Sequence, residues 1–152
     1  MLRDDINNAL KDAMKSGDAR RVSTLRLVNS ALKNADIEAR GQGKPPLTDD
    51  DLLSLLQKMI KQRQESVELY QKGNRADLVA QEQGEIEIIS AYLPAQMSED
   101  EIGTVIAALV KETGATAMKD MGRVMAALKE RYAGKLDFTK ASAAVKKALS
   151  GG

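Results

Sequence analysis

The sequence contains no histidine, no cysteine and no tryptophan, with one phenylalanine and three tyrosines. Each absence excludes a class of chemistry. Without histidine there is no imidazole base tuned near neutrality and no imidazole metal ligand. Without cysteine there are no thiolate nucleophiles and no thiolate metal sites. Catalysis would have to use carboxylates, lysine, serine, threonine and tyrosine alone. The shortage of aromatics leaves Leu, Ile, Val, Ala and seven Met to build the core, a palette that favours helices over strands.

No apolar run approaches the roughly 20 residues that span a bilayer. The start, Met1-Leu2-Arg3-Asp4-Asp5, places acids where a secretory signal needs bases and then an apolar stretch. The expectation is a cytoplasmic protein with no membrane, metal or cofactor partner. A hydrophobic share of 43% and a charged share of 30% over 152 residues are globular values, enough for one domain or two small ones.

Period-3.6 apolar spacing and end signals predict seven helices. The first carries Leu2, Ile6, Leu10 and Ala13 and stops at Ser16-Gly17. The second carries Val22, Leu25, Val28, Leu32 and Ala35, and Gly41 to Pro46 follow as a loop. Thr48 caps the third, whose first turn holds Asp49, Asp50 and Asp51, where the helix dipole favours negative charge. The fourth runs from about Arg75 to Tyr92, and Pro94 closes it. Ser98 and Glu101 have the spacing of a capping box and open the fifth, which ends before Gly114. The sixth is expected from Ala117 to Tyr132 with Met118, Met121 and Met125 on its core stripe, and Asp137 caps the seventh. This predicts an all-α protein: a four-helix bundle over residues 1–94, then a small three-helix domain over 95–152.

Three charged residues fall on stripes that should be apolar: Arg26 beside Val22 and Leu25, Arg63 after Leu56 and Met59, and Glu82 between Val79 and Ile86. Unpaired buried charge is costly, so Glu82, with Glu85, is expected to bond Arg26 or Arg63 inside the first bundle. The functional alternative is a carboxylate metal site or acid/base pair at Glu82 and Glu85. Carboxylate bundles that hold iron also use histidine, which argues for the structural reading.

The near-neutral total, +1, hides an uneven spread. From Ala115 onward stand Lys119, Arg123, Lys129, Arg131, Lys135, Lys140, Lys146 and Lys147 against Asp120, Glu130 and Asp137, a net +5. Lys119 and Arg123 share a helix face, as do Lys140 and Lys147. Such a face can neutralise phosphates, and the missing aromatics point to backbone and shape recognition rather than base stacking. A smaller set, Lys11, Lys15, Arg20, Arg21 and Lys33, reads as surface charge. Gly122, inside the sixth helix, implies either a closely packed neighbouring helix or the approach of a phosphate backbone.

Leu25-Arg26, Ile60-Lys61-Gln62-Arg63-Gln64-Glu65-Ser66, Glu82 and Glu85 followed by Ala91-Tyr92-Leu93-Pro94, and Asp120-Met121-Gly122-Arg123-Val124-Met125 together resemble the GatB/YqeY family, closest to its stand-alone YqeY-like members. The likeness runs in order over essentially the whole chain. It implies a four-helix N-terminal and a three-helix C-terminal domain. It also implies kinship with the tail domain of GatB in the glutamine-dependent Asp-tRNA/Glu-tRNA amidotransferase, which helps hold tRNA while chemistry happens elsewhere. Any carbon–nitrogen ligase label would then be inherited from a different domain, and no active site is expected here. The expected ligand is tRNA, held by Lys119, Arg123, Lys135, Lys140 and Lys147. The alternative is an adaptor that docks on an aminoacyl-tRNA synthetase or amidotransferase without touching RNA. Where the family often has a Gly-Arg-Ala-Asp-like turn before the last helix, this chain has Gly134-Lys135-Leu136-Asp137.

Overall fold

A computed structural model describes residues 1–150 and contains, among them, seven α-helices, one 3-10 turn and no strand. The helices are α1 (Leu2–Ser16), α2 (Ala19–Gly41), α3 (Asp49–Lys72), α4 (Ala76–Ser90), α5 (Glu99–Thr113), α6 (Met121–Tyr132) and α7 (Phe138–Ser150). The chain divides into two compact units, Met1–Leu93 and Pro94–Gly152.

Helix ends follow local chemistry. Thr48 Oγ1 accepts from the Asp51 N–H while the Asp51 carboxylate accepts from the Thr48 N–H, and Ser98 and Glu101 repeat the exchange at α5. Each box satisfies orphan N–H groups of a first turn and aligns acids with the positive end of the helix dipole. At the other ends of α1 and α5, Gly17 (φ 74°) and Gly114 (φ 68°) turn left-handed, a conformation glycine adopts without a Cβ clash.

In the first unit α1 packs on α2, α3 on α4, and α2 on α4. Ile6, Ala13, Leu25, Val28, Leu56, Met59 and Ile89 form its buried cluster. The polar tie across the unit joins Arg3 of α1 to Asp36 of α2. Arg3 also donates to the carbonyl of Leu47 at 3.0 Å, and the Leu47 N–H donates to Asp36, so the segment before α3 is fastened at the same point. Those hydrogen bonds from Arg3 hold the Asp36 carboxyl down at about 2, helped by the Leu47 N–H.

In the second unit α5, α6 and α7 pack in all three pairs around Ile102, Ile106, Leu109, Val124, Leu128, Leu136, Ala141 and Val145. The sixth helix departs from its expected start. Met118–Asp120 is a 3-10 turn, because the Asp120 carboxylate accepts from the N–H groups of Thr116 (3.0 Å) and Ala117 (3.2 Å) and draws the entry tight. The turn rotates Met118 out of the expected stripe, leaving it 40% exposed, while Met121 and Met125 still pack on the core.

Candidate nucleic-acid interface

All five residues expected to meet phosphate lie in the second unit with exposed side chains. Lys119 sits on the 3-10 turn and Arg123 in the first turn of α6. Lys140 and Lys147 stand seven residues apart on α7, whose buried positions are Ala141, Val145 and Leu149. At 100° per residue, both lysines point away from that buried stripe.

Lys135 occupies the α6–α7 turn, whose backbone is firmly held. The Met97 N–H donates to the Lys135 carbonyl at 2.7 Å, and the Gln96 amide donates to the Gly134 carbonyl at 2.6 Å. Gly134 is left-handed (φ 77°) and Leu136 is buried. Asp137 accepts from the Thr139 N–H at 2.8 Å and so caps α7. The lysine is therefore a flexible cation on a fixed stem.

The cations divide by type. Arg123 donates to Asp120 at 2.9 Å, and Arg131 forms a two-pronged bridge to Glu112 of α5 at 2.6 and 2.9 Å. Asp120 is held below the usual carboxylate range by the Thr116 and Ala117 N–H groups and by the nearby cations, and Glu112 by Arg131. These are the ion pairs the unit forms among the described residues, so Lys119, Lys129, Lys135, Lys140, Lys146 and Lys147 keep their charge toward solvent. The simple tally of +5 missed this division. Glu112 lies 19 residues before Arg131, and nothing local links them.

Gly122 is corrected. A Cβ built there meets nothing within 4 Å, so no helix packs closely against it. The bare backbone faces open space between Lys119 and Arg123 in sequence.

In the first unit, Arg63 Nε donates to Glu85 Oε2 at 2.8 Å with both side chains largely enclosed, and Arg63 also donates to the Met59 carbonyl at 3.1 Å. Glu82 lies outside this bridge, half-buried on the preceding turn of α4, and burial and then the Glu85 charge push its carboxyl up. Arg26 takes no part. Its side chain is exposed and contacts the Met14 sulfur at 3.7 Å, because it falls on the solvent edge of the α2 stripe rather than facing α4. Among the described residues no group of three or more acidic side chains is placed to hold a metal.

A family model described as Yqey-like protein matches residues 3–149. The chain belongs to the YqeY-like family. Several curated relatives carry the name "Altered inheritance of mitochondria protein 41, mitochondrial". The protein of Lachancea thermotolerans is 40% identical over 111 residues, which cover 71% of this chain and 57% of the relative. That of Pyrenophora tritici-repentis is 34% identical over 128 residues, covering 80% and 68%. That of Vanderwaltozyma polyspora is 33% identical over 118 residues, covering 74% and 62%. The chain thus spans 57–68% of the length of these relatives.

Their names correct the cytoplasmic expectation, since these family members are named as mitochondrial proteins. No helix among the described residues is long and apolar enough to cross a membrane. That fact and the missing cysteine report on anchoring and redox chemistry only. Compartment is set by targeting segments read by import machinery, which leave no trace in the composition of a helical core.

Proposed function

We propose that this member of the YqeY-like family is an accessory RNA-binding protein that holds tRNA by its phosphate backbone through the C-terminal unit. In this reading the two compact units are a four-helix domain and a three-helix domain. The latter corresponds to the tRNA-holding tail of GatB in the amidotransferase. The observation that carries the proposal is the set of solvent-facing lysines, with Lys140 and Lys147 on the outer side of α7 and Lys135 on the tied turn. Lysine is a compact point charge that suits non-directional phosphate contact, whereas Arg131 already spends its fork on Glu112 and Arg123 donates one N–H to Asp120. A phosphate array that pulled Arg123 from Asp120 would add a contact on binding.

The test is titration of total tRNA at several salt concentrations. Each lysine that touches a phosphate adds about one unit to the salt slope, so Lys140→Ala and Lys147→Ala should each lower it by about that amount. Lys33→Ala, on α2 of the other unit, should leave the slope unchanged. Failure to detect tRNA binding at low salt sinks the reading.

A further inference from the structure

The exposed large apolar side chains of the first unit include Met14, on the last turn of α1, and Leu27, on α2, each 48% open to solvent. They are neighbours. Together with Val22, Ser23, Arg26 and Ser30 they line an open groove of about 650 Å³ beside the α1–α2 turn. Arg26 is the only charged side chain in its lining, and the partner it has is the Met14 sulfur, at 3.7 Å. A thioether is a weak acceptor, so five strong N–H donors are left with no carboxylate. Residues 11–33, which supply the lining, hold six cations (Lys11, Lys15, Arg20, Arg21, Arg26, Lys33) against Asp12 and Asp18, a net +4, and of these only Arg26 lines the groove itself. Asp18 is occupied as the α2 cap, accepting from the Arg21 N–H. Farther along α2, Ile37 is 65% exposed, beyond the polar Ser30, Lys33 and Asn34. Ten residues separate it from Leu27, about 15 Å along the helix.

We propose that this groove docks an acidic amphipathic helix of a partner protein. The partner's apolar ridge would seat on Met14, Val22 and Leu27, and a carboxylate would take the fork of Arg26. The chemistry decides among occupants. A nucleic-acid backbone would gain one cation and bury Met and Leu against phosphate, which is a poor exchange. A second copy joined by a two-fold axis would present this same patch to itself and supply no carboxylate for Arg26, since the lining holds none. An acidic helix satisfies the guanidinium bidentately and covers the apolar lining, and methionine adapts to ridges of different shape. The inference is independent of whether the C-terminal unit binds RNA.

The test uses the full chain and two synthetic helical peptides of about 18 residues, with leucines at i, i+4 and i+7 spacing and glutamate or lysine flanks. Affinity is read by fluorescence anisotropy and location by the NMR methyl signals of Met14 and Leu27. The glutamate peptide is expected to shift both methyls and to bind at least about tenfold more tightly than the lysine peptide. Arg26→Glu should reverse that order, and Leu27→Ser should weaken both peptides. Both positions face solvent, so the variants keep their fold. The proposal is overturned if neither peptide moves these methyls, if the two bind equally, or if Arg26→Glu changes nothing. Concentration-dependent self-association that shifts the same methyls would overturn it in favour of a second copy, and shifts on adding tRNA would do so in favour of RNA.

Discussion

Arg3 and Asp36 meet through two hydrogen bonds of 2.6 and 2.8 Å, across 33 residues of sequence. Both side chains are about three-quarters covered, and the pair also grips both polar groups of the Leu47 backbone. It is therefore a clasp on three segments rather than a surface contact. Removing the charge at Asp36 leaves Arg3 and the Leu47 N–H short of an acceptor. Asp36→Asn should cost about 1–2 kcal/mol after allowance for partial solvent screening. A carboxyl held at about 2 stabilises the fold fully above its ordinary 3.8 and loses that contribution as pH falls toward 2. Urea melts between pH 2 and 6 should show a decline in the parent chain that is shallower in the variant, because Asp120 and Glu112 still contribute theirs. Identical pH profiles would refute the assignment.

Glu82 has the opposite sign. Folding makes it easier to protonate, through burial and then the neighbouring Glu85 charge. It contributes stability below the ordinary 4.5 and withdraws it as pH rises through the higher folded value. Glu82→Gln should accordingly raise the denaturation midpoint at pH 7, with the gain shrinking toward pH 4. A loss of stability at pH 7 would show instead that Glu82 shares Arg63 with Glu85.

Thr24 is fully enclosed, and its hydroxyl has no hydrogen-bond partner among the described residues. A buried unsatisfied hydroxyl costs about 1 kcal/mol or more, and valine has nearly the same outline. Thr24→Val should raise stability by about 1 kcal/mol in thermal or chemical melts. A destabilised variant would mean that the hydroxyl finds an acceptor in solution.

Gly122 lies in the first turn of α6 with nothing near a Cβ. Alanine is the better helix former, so Gly122→Ala should stabilise the free protein by about 0.5–1 kcal/mol. If a phosphate backbone approaches that bare peptide, the same change should weaken tRNA binding by about tenfold, the scale of one lost polar contact. A more stable variant with unchanged tRNA affinity would remove Gly122 from the interface.

Much of the secondary structure was legible because it is encoded locally. The Thr48–Asp51 and Ser98–Glu101 boxes, the left-handed Gly17 and Gly114, and the apolar spacing of Ile6, Leu25, Leu56 and Ile106 each act within a turn or two of helix. The tight entry to α6 was missed because Asp120 reaches back to Thr116 and Ala117, a backbone contact that apolar periodicity does not register. Met118 then left the expected stripe. Arg26 was misplaced for a related reason. Its neighbours Leu25 and Val28 are buried, but at 100° per residue Arg26 falls beyond the edge of the covered arc.

Sequence alone determined the helical character of this protein, the places where most of its helices begin and end, the chemistries it lacks, and an excess of cations in its last 38 residues. Those properties follow from residue type and short-range spacing. Tertiary structure decided which cations remain available. It brought Glu112 to Arg131 and Asp36 to Arg3, left the lysines of the second unit facing solvent, opened the space above Gly122, and set Arg26 against a sulfur rather than a carboxylate. Such pairings depend on how distant helices pack, and a charge has no spacing rule by which it announces a partner so far along the chain.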